Sequence, residues 1–281
     1  MVKNYVEAAE IFFKDLVGYV PPGMAPAICT AFIEGGKYFT EWRNEFIGTL
    51  LMVVCTFSAG KWIGQDDMNI AWLSHAAGVV AADYFGGGQH VNPAVTMSMW
   101  ALGKCSYTES YVRVSGQMAG GLVAFPLFHA VADALQMPPF GGPEFNTEDE
   151  DHSREAFLSE FGATFLLLWV VYLVNWEINF GTYHYLIKQT LTAAAVRALI
   201  EFFPTAGPAI NPMLATTWAV WGSGDMSMPS HFMHYFVYWA SPCLAAVAAS
   251  IIYVIYAGGT IFGSSLPIGP FKGKSAKVKK H

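Results

Sequence analysis

The stretches Gly88-Gln-His-Val-Asn-Pro-Ala-Val-Thr96 and Thr205-Ala-Gly-Pro-Ala-Ile-Asn-Pro212 share an Asn-Pro pair, and this pair decides the fold. Asparagine is a favoured N-cap and proline is favoured at the first helical position, so each pair predicts a helix start. The apolar pieces 92–103 and 211–221 are shorter than the ~20 residues that a bilayer-crossing helix needs. We therefore expect two re-entrant half-helices.

A second matched pair of segments lies upstream, where Asn44-Glu-Phe-Ile-Gly-Thr49 corresponds to Ser159-Glu-Phe-Gly-Ala-Thr164. Glu160 follows Glu45 by 115 positions, and Asn211 follows Asn92 by 119. The chain is therefore an internal duplication. With three crossings in each half, the second copy is inverted, and inverted repeats place their functional site near the membrane midplane.

The composition is that of a membrane protein. Hydrophobic residues make up 54% of the 281 residues and charged residues only 13%, against about 25% charge in an ordinary globular chain. Six apolar spans predict crossings at 45–64, 69–86, 107–135, 155–176, 187–204 and 231–257. The predicted fold is an all-α polytopic membrane bundle of six transmembrane helices plus two re-entrant half-helices, in an inverted 3+3 repeat.

The distribution of charge predicts five segments and their orientation. The tail holds five lysines and the acidic loop holds no Lys or Arg, so both termini are expected in the cytoplasm. The tail lysines are either solvated or in contact with anionic lipid. The segments are a cytoplasmic N-terminal segment (1–44), the first repeat (45–135), an acidic extracytoplasmic loop (136–153), the second repeat (154–257) and a basic cytoplasmic tail (258–281).

Residues 5–20 place apolar side chains at helical spacing between charged ones. This pattern predicts an amphipathic helix at the membrane interface, with a partner-binding helix as the alternative.

Several functional classes are excluded. A net charge of −6 excludes nucleic-acid binding. The four cysteines are scattered, without a Cys-x-x-Cys pair or a histidine cluster, so no metal site is expected. Without a nucleotide-binding or catalytic motif, we expect neither a cofactor nor enzymatic activity.

Two half-helices that enter from opposite faces would meet at the centre of the bilayer. Their positive dipole ends and the Asn92 and Asn211 amides would then face one narrow cavity, repelling cations and giving a chain of water molecules fixed donors. Glu45 and Glu160 are costly in lipid unless satisfied. Each either accepts N–H bonds from the re-entrant loop of its own half or takes part in a proton relay.

At these residues, between about 43 and 256, the chain resembles the major intrinsic protein family, the aquaporins and aquaglyceroporins. The resemblance implies a homotetramer with a pore in each subunit, membrane lipid around it, and water or small neutral solutes as cargo. It implies loop support by Glu45, Glu160 and His90. The residues implied at the pore midplane are Asn92, Pro93, Ala94, Asn211, Pro212 and Met213.

The sequence departs from the family pattern near the second motif. Met213 replaces the usual alanine, and Leu214 stands where most members place a filter arginine. Counting from the motifs assigns an apolar selectivity filter to Trp72, Leu199, Pro208 and Leu214. The leucine resembles the unorthodox superaquaporin branch, although that branch usually alters the first motif, which is intact here. The Arg-Asp mark of glycerol channels is absent.

Arg197 and Glu201 lie four positions apart in the fifth predicted crossing, so they can pair on one helix face. The alternative is that Arg197 supplies the charge missing at Leu214. Arg197 and Leu199 lie about 200° apart around a helix, so both cannot easily face one pore. His75 is either a packed neutral histidine or a pH-sensitive group that faces the pore.

The predicted function is a passive channel for water and other small uncharged solutes that excludes protons and cations. The alternative is a structural or junctional membrane protein with a closed or poorly conducting pore, since hydrophobic constrictions can gate by dewetting. An ion-coupled transporter is disfavoured by the positive dipole ends at the centre.

Overall fold

The computed structural model describes residues 35–58, 68–134, 150–203, 205 and 209–272. The predicted amphipathic helix at 5–20, the filter candidate Pro208, most of the acidic loop and residues 273–281 of the basic tail lie outside these ranges. The described chain is mainly helical.

The first half contains a short helix between long ones. Its elements are α1 (Gly35–Ser58), α2 (Met68–Gly86), the short α3 (Pro93–Ala101) and α4 (Tyr107–Ala134).

The second half follows the same order of long and short helices. Its elements are α5 (Glu150–Tyr172) with a π-helical turn (Leu173–Glu177), a 3-10 turn (Gly181–Tyr183), α6 (His184–Phe202), the short α7 (Pro212–Gly222), and α8 (Phe232–Tyr235) joined to α9 (Ser241–Ala257) by a π-helical turn (Phe236–Ala240). A small antiparallel hairpin follows, formed by β1 (Thr260–Ile261) and β2 (Ser264–Ser265).

The half-helices join the two repeats. α1 packs against α2 and α4, and α9 packs against α5. The short helices cross over, because α3 of the first half packs against α9 and α7 of the second half packs against α4. This exchange brings both Asn-Pro turns to the middle of the bundle.

Several helices extend beyond their apolar spans. α1 begins at Gly35 rather than at residue 45, inside the predicted N-terminal segment, and α5 begins at Glu150 rather than at 155, inside the predicted acidic loop. Hydropathy detects only the apolar part of a helix, whereas backbone hydrogen bonding continues into the polar region. Among the described helices, His152–Glu177 and Phe232–Ala257 are long and apolar enough by themselves to cross a membrane.

Small residues let α4 approach α1 closely. A Cβ atom on Gly116 would lie 2.6 Å from the Trp42 carbonyl oxygen, and one on Gly120 would lie 2.7 Å from that of Phe46. Such contacts leave no room for a side chain, and small residues are typical where membrane helices pack backbone to backbone. The glycines therefore fix the position of Glu45, which lies on α1 between Trp42 and Phe46.

Candidate functional site

Each Asn-Pro pair starts a half-helix as the sequence predicts. The Asn92 Oδ1 atom accepts the Ala94 N–H at 2.9 Å, and the Asn211 Oδ1 atom accepts the Met213 N–H at 3.1 Å. Pro93 and Pro212 occupy the first helical positions, where the missing N–H has no cost. Both half-helices therefore begin on a capping asparagine.

The two turns meet at their tips. The Asn92 Nδ2 atom donates to the Ile210 carbonyl at 2.9 Å, and the Asn211 Nδ2 atom donates to the Val91 carbonyl at 2.8 Å. The reciprocal bonds join positions 118 and 120 residues apart in the chain. Both asparagines are almost fully buried, so the junction lies inside the bundle.

The residue before each asparagine has a strained backbone. Val91 has a φ of 51° and Ile210 a φ of 52°, in the left-handed region that β-branched residues rarely adopt. Such a conformation costs about 1–3 kcal/mol and persists only where the surroundings fix it. Here the carbonyls of the same two residues accept the reciprocal bonds from the asparagines.

A buried carboxylate fixes each strained loop from the other side. Glu45 accepts the N–H groups of His90 at 2.9 Å and Val91 at 2.8 Å. Glu160 accepts those of Ala209 at 2.7 Å and Ile210 at 2.9 Å. Both carboxylates are fully buried. The contacts are those expected for loop support within each half.

The two carboxylates differ in their remaining partners. Glu45 also accepts Arg113 Nη1 at 2.8 Å and Gln117 Nε2 at 2.9 Å. Among the described residues, no cation pairs with Glu160. The sequence reasoning missed Arg113; the available signal was that an intramembrane carboxylate usually pairs with a charge of opposite sign.

His90 contributes to the first loop in two ways. Its backbone N–H is one of the groups that Glu45 binds, and its Nδ1 atom lies 3.1 Å from the Thr96 hydroxyl. Thr96 also accepts the Gln117 amide at 3.0 Å. The loop is therefore tied to the half-helix that follows it.

Met213 does not project from the tip of its half-helix. The side chain is fully buried, and its Sδ atom fills the space beside Gly121 on α4, where a Cβ atom would lie only 2.6 Å away. The Thr217 hydroxyl lies 3.5 Å from the same sulfur. The volume that methionine adds over alanine is therefore taken up between α7 and α4.

The counted filter positions have different surroundings. Leu199 is buried with Ala163 and Ile210, whereas Leu214 packs against the separate cluster around Trp218. The Trp72 indole N–H donates a hydrogen bond to Glu201. The described filter candidates therefore do not form a single apolar cluster.

The polar contact of Trp72 crosses the boundary between α2 and α6. Its Nε1 atom donates to Glu201 Oε1 at 3.1 Å, and Arg197 Nε lies 3.3 Å from the same oxygen. The i,i+4 pair predicted between Arg197 and Glu201 is present. Its contact with Trp72 was not predicted, since 129 positions separate the partners. His75, on α2, has a buried Nε2 atom without a hydrogen-bond partner in the described chain.

Comparisons with known proteins agree with this architecture. A family model, described as "Major intrinsic protein", matches residues 35–253. The chain is 27% identical over 192 residues to the aquaglyceroporin of Plasmodium berghei (strain Anka), covering 63% of this chain and 73% of that protein. It is 25% identical over 224 residues to Aquaporin TIP1-1 of Arabidopsis thaliana, covering 75% and 84%.

A solved structure has the same fold. The X-ray structure of the aquaglyceroporin from Plasmodium falciparum aligns with a TM-score of 0.59 at 22% identity, covering 77% of this chain and 95% of that one. The predicted all-α bundle with an inverted 3+3 repeat is confirmed. Taken with the paired Asn-Pro turns, the match over residues 35–253 shows that this chain belongs to the major intrinsic protein family.

Proposed function

We propose that this protein carries water and other small uncharged solutes passively through a pore in each subunit, and that it excludes protons and other cations. Family membership establishes the coarser part: an integral multi-pass membrane protein that is a channel for water or small solutes and not an enzyme. The finer part rests on the junction of the two half-helices.

The observation that carries the proposal is the reciprocal contact between Asn92 and Asn211 and the opposite loops. Each amide has two N–H groups, and the bond to the opposite carbonyl uses one of them. The second can donate to a passing water or hydroxyl oxygen. Both half-helices begin here, so their positive dipole ends converge. That arrangement disfavours a cation and orients water, as lining donors and positive half-helix ends do in selective pores.

The fixed geometry of the loops supports selection at this point. A donor can discriminate only if it stays in place, and Glu45 and Glu160 each fix a loop by two N–H bonds. A passing molecule therefore meets donors that do not have to reorganise.

Met213 supports a conducting pore over the structural alternative. Its side chain is buried beside Gly121, so its larger volume does not narrow the junction. Leu214 favours the alternative, because an apolar constriction can close by dewetting. The relatives named aquaglyceroporin and aquaporin support water and glycerol as solutes. We also propose the homotetramer, with both termini in the cytoplasm, on the family resemblance.

Stopped-flow swelling of proteoliposomes tests the proposal, with water, glycerol and urea as solutes and an enclosed pH dye to report proton leak. We expect water permeability above that of empty vesicles, without added proton flux. Asn211→Asp places a carboxylate at the junction and should reduce exclusion of cations. Asn179→Asp, in the exposed loop before α6, is the matched control and should match the wild type. Permeability no greater than in empty vesicles would leave the structural alternative.

A further inference from the structure

We infer that a polar cluster between α2 and α6, rather than the apolar residues counted from the motifs, is the constriction that selects solutes in this channel. The cluster consists of Trp72, His75, Arg197 and Glu201. Arg197 supplies the positive charge that Leu214 does not. The inference rests on the proposed function, because it assigns selectivity within that pore.

The outward faces of the two helices are marked by their most exposed apolar side chains. Phe202 on α6 is 80% exposed and Leu73 on α2 is 71% exposed, so these two point away from the bundle, toward lipid or a neighbouring subunit. An α-helix turns by about 100° per residue. The approximate directions of the nearby side chains on α2 and α6 follow from these two.

Arg197 points inward by this measure. It lies five positions before Phe202, which places it about 140° away around the helix. Leu199 lies three positions before Phe202, only about 60° from the outward direction. Since Arg197 and Leu199 cannot both face one pore, the structure favours Arg197, in agreement with the burial of Leu199 against α5.

His75 points inward from the opposite helix. It lies two positions after Leu73, about 200° around α2. Its Nε2 atom is buried without a hydrogen-bond partner among the described residues. A buried polar atom without a partner is costly, and a water or a solute hydroxyl would satisfy it. His75 thus provides a second polar group on the inner side of the cluster between α2 and α6.

The neighbours of α6 leave Arg197 outside the apolar interface with α5. Val196, Ile200 and Phe203 belong to the apolar cluster with α5, whereas Glu201 contacts Trp72 of α2. Arg197 lies on the part of α6 between these two contact faces. Its side chain is 29% exposed, so Arg197 is only partly enclosed by its neighbours.

Glu201 orients the arginine without enclosing it. One carboxylate oxygen, Oε1, lies near both the Trp72 indole N–H and Arg197 Nε. The Arg197 Nε contact is an ion pair that does not meet hydrogen-bond geometry. A guanidinium has five N–H donors, and within the described part of the chain the terminal ones remain for a ligand. The ligands that fit are small neutral molecules with oxygen acceptors, such as water and polyols, whereas a cation would meet the guanidinium charge.

The experiment compares two substitutions that introduce the same side chain two positions apart. Arg197→Met removes the charge, and Leu199→Met changes the buried neighbour that the motif count assigns to the filter. We expect Arg197→Met to raise methylammonium flux by about tenfold or more, because a unit charge a few ångströms from the path alters a cation's energy substantially at an intermediate dielectric. It should also raise the ratio of glycerol to water permeability. Leu199→Met should leave both properties unchanged.

Arg197→Lys keeps the charge and should keep methylammonium out, which separates loss of charge from loss of structure. If Arg197→Met does not fold, Arg197→Cys provides the test through inhibition of water flux by a charged methanethiosulfonate, with Leu199→Cys unaffected. Unchanged selectivity in a conducting Arg197→Met channel, or equal inhibition of the two cysteine variants, would overturn the inference and leave the proposed function intact. A wild-type protein that conducts nothing would instead overturn the proposed function itself.

Discussion

The unequal surroundings of the two buried carboxylates predict unequal effects of the same substitution. Glu45→Gln and Glu160→Gln each replace a carboxylate with an amide of nearly the same shape. At Glu160 one oxygen remains to accept one of the two backbone N–H groups. The other N–H loses its acceptor, which costs about 1–3 kcal/mol.

Glu45→Gln removes more, because Arg113 also depends on this carboxylate. Separating a buried ion pair by removing one partner costs about 3–5 kcal/mol. Arg113 keeps Glu109, at 2.8 Å, so the lower end of that range applies. Both variants leave one backbone N–H without an acceptor, so the two differ by the loss of the ion pair. We therefore expect Glu45→Gln to lower the free energy of unfolding by about 3 kcal/mol more than Glu160→Gln does.

Reversible unfolding in mixed detergent micelles of increasing SDS content, followed by tryptophan fluorescence, measures both variants. The double variant Glu45→Gln/Arg113→Met is the control, because it removes both charges of the pair and so leaves no Arg113 guanidinium without its Glu45 partner. It should be more stable than Glu45→Gln alone. Equal losses for the two single variants, or a larger loss at Glu160, would refute the claim that Arg113 is what distinguishes the two halves.

Three further predictions concern packing, selectivity and the C-terminal segment. Gly121→Ala should destabilise the protein by about 1–3 kcal/mol, because its Cβ would lie 2.6 Å from both the Met213 sulfur and the Thr217 hydroxyl oxygen. Adding Met213→Ala relieves only the first of these contacts, so it should restore part of the lost stability in the same unfolding assay. Leu214→Arg should shift permeability toward water over glycerol in proteoliposomes, and an unchanged ratio would show that this position lies away from the path. Lys272 pairs with Glu177, and this bond raises the pKa of Lys272, so the contact is present below the ordinary lysine pKa and is lost as pH rises through the raised value. Proteinase K should therefore cut residues 258–272 faster at high pH or in Lys272→Met. Unchanged cleavage would contradict the role of this pair.

Much of the fold could be predicted because its signals are local or repeated. The capping of α3 by Asn92 and of α7 by Asn211 depends on two adjacent residues, so the dipeptide alone predicts it. The matched offsets of Glu45 with Glu160 and of Asn92 with Asn211 predicted the duplication. Helix ends were harder to place, as α1 shows, since hydropathy follows lipid contact whereas backbone hydrogen bonds continue past it.

The selectivity of the site could be predicted only in part. Counting from the motifs assumes that helix α6 presents the same face as in other members of the family. The sequence gives the angle between Arg197 and Leu199 but not which of them faces inward. The inference that Arg197 faces inward rests on the exposure of Phe202 and the burial of Leu199, and both depend on how α6 packs between α5 and α2.

By itself, then, the sequence determined the helical membrane class, the inverted repeat and the two half-helix starts, because composition, periodicity and capping act over a few neighbouring residues. Only the tertiary structure decided that Arg113 pairs with Glu45, that Gly121 makes room for Met213, and that Trp72 binds Glu201. In each pair the partners lie on different helices, far apart in the chain, and which helix faces meet is fixed by the packing of the whole bundle.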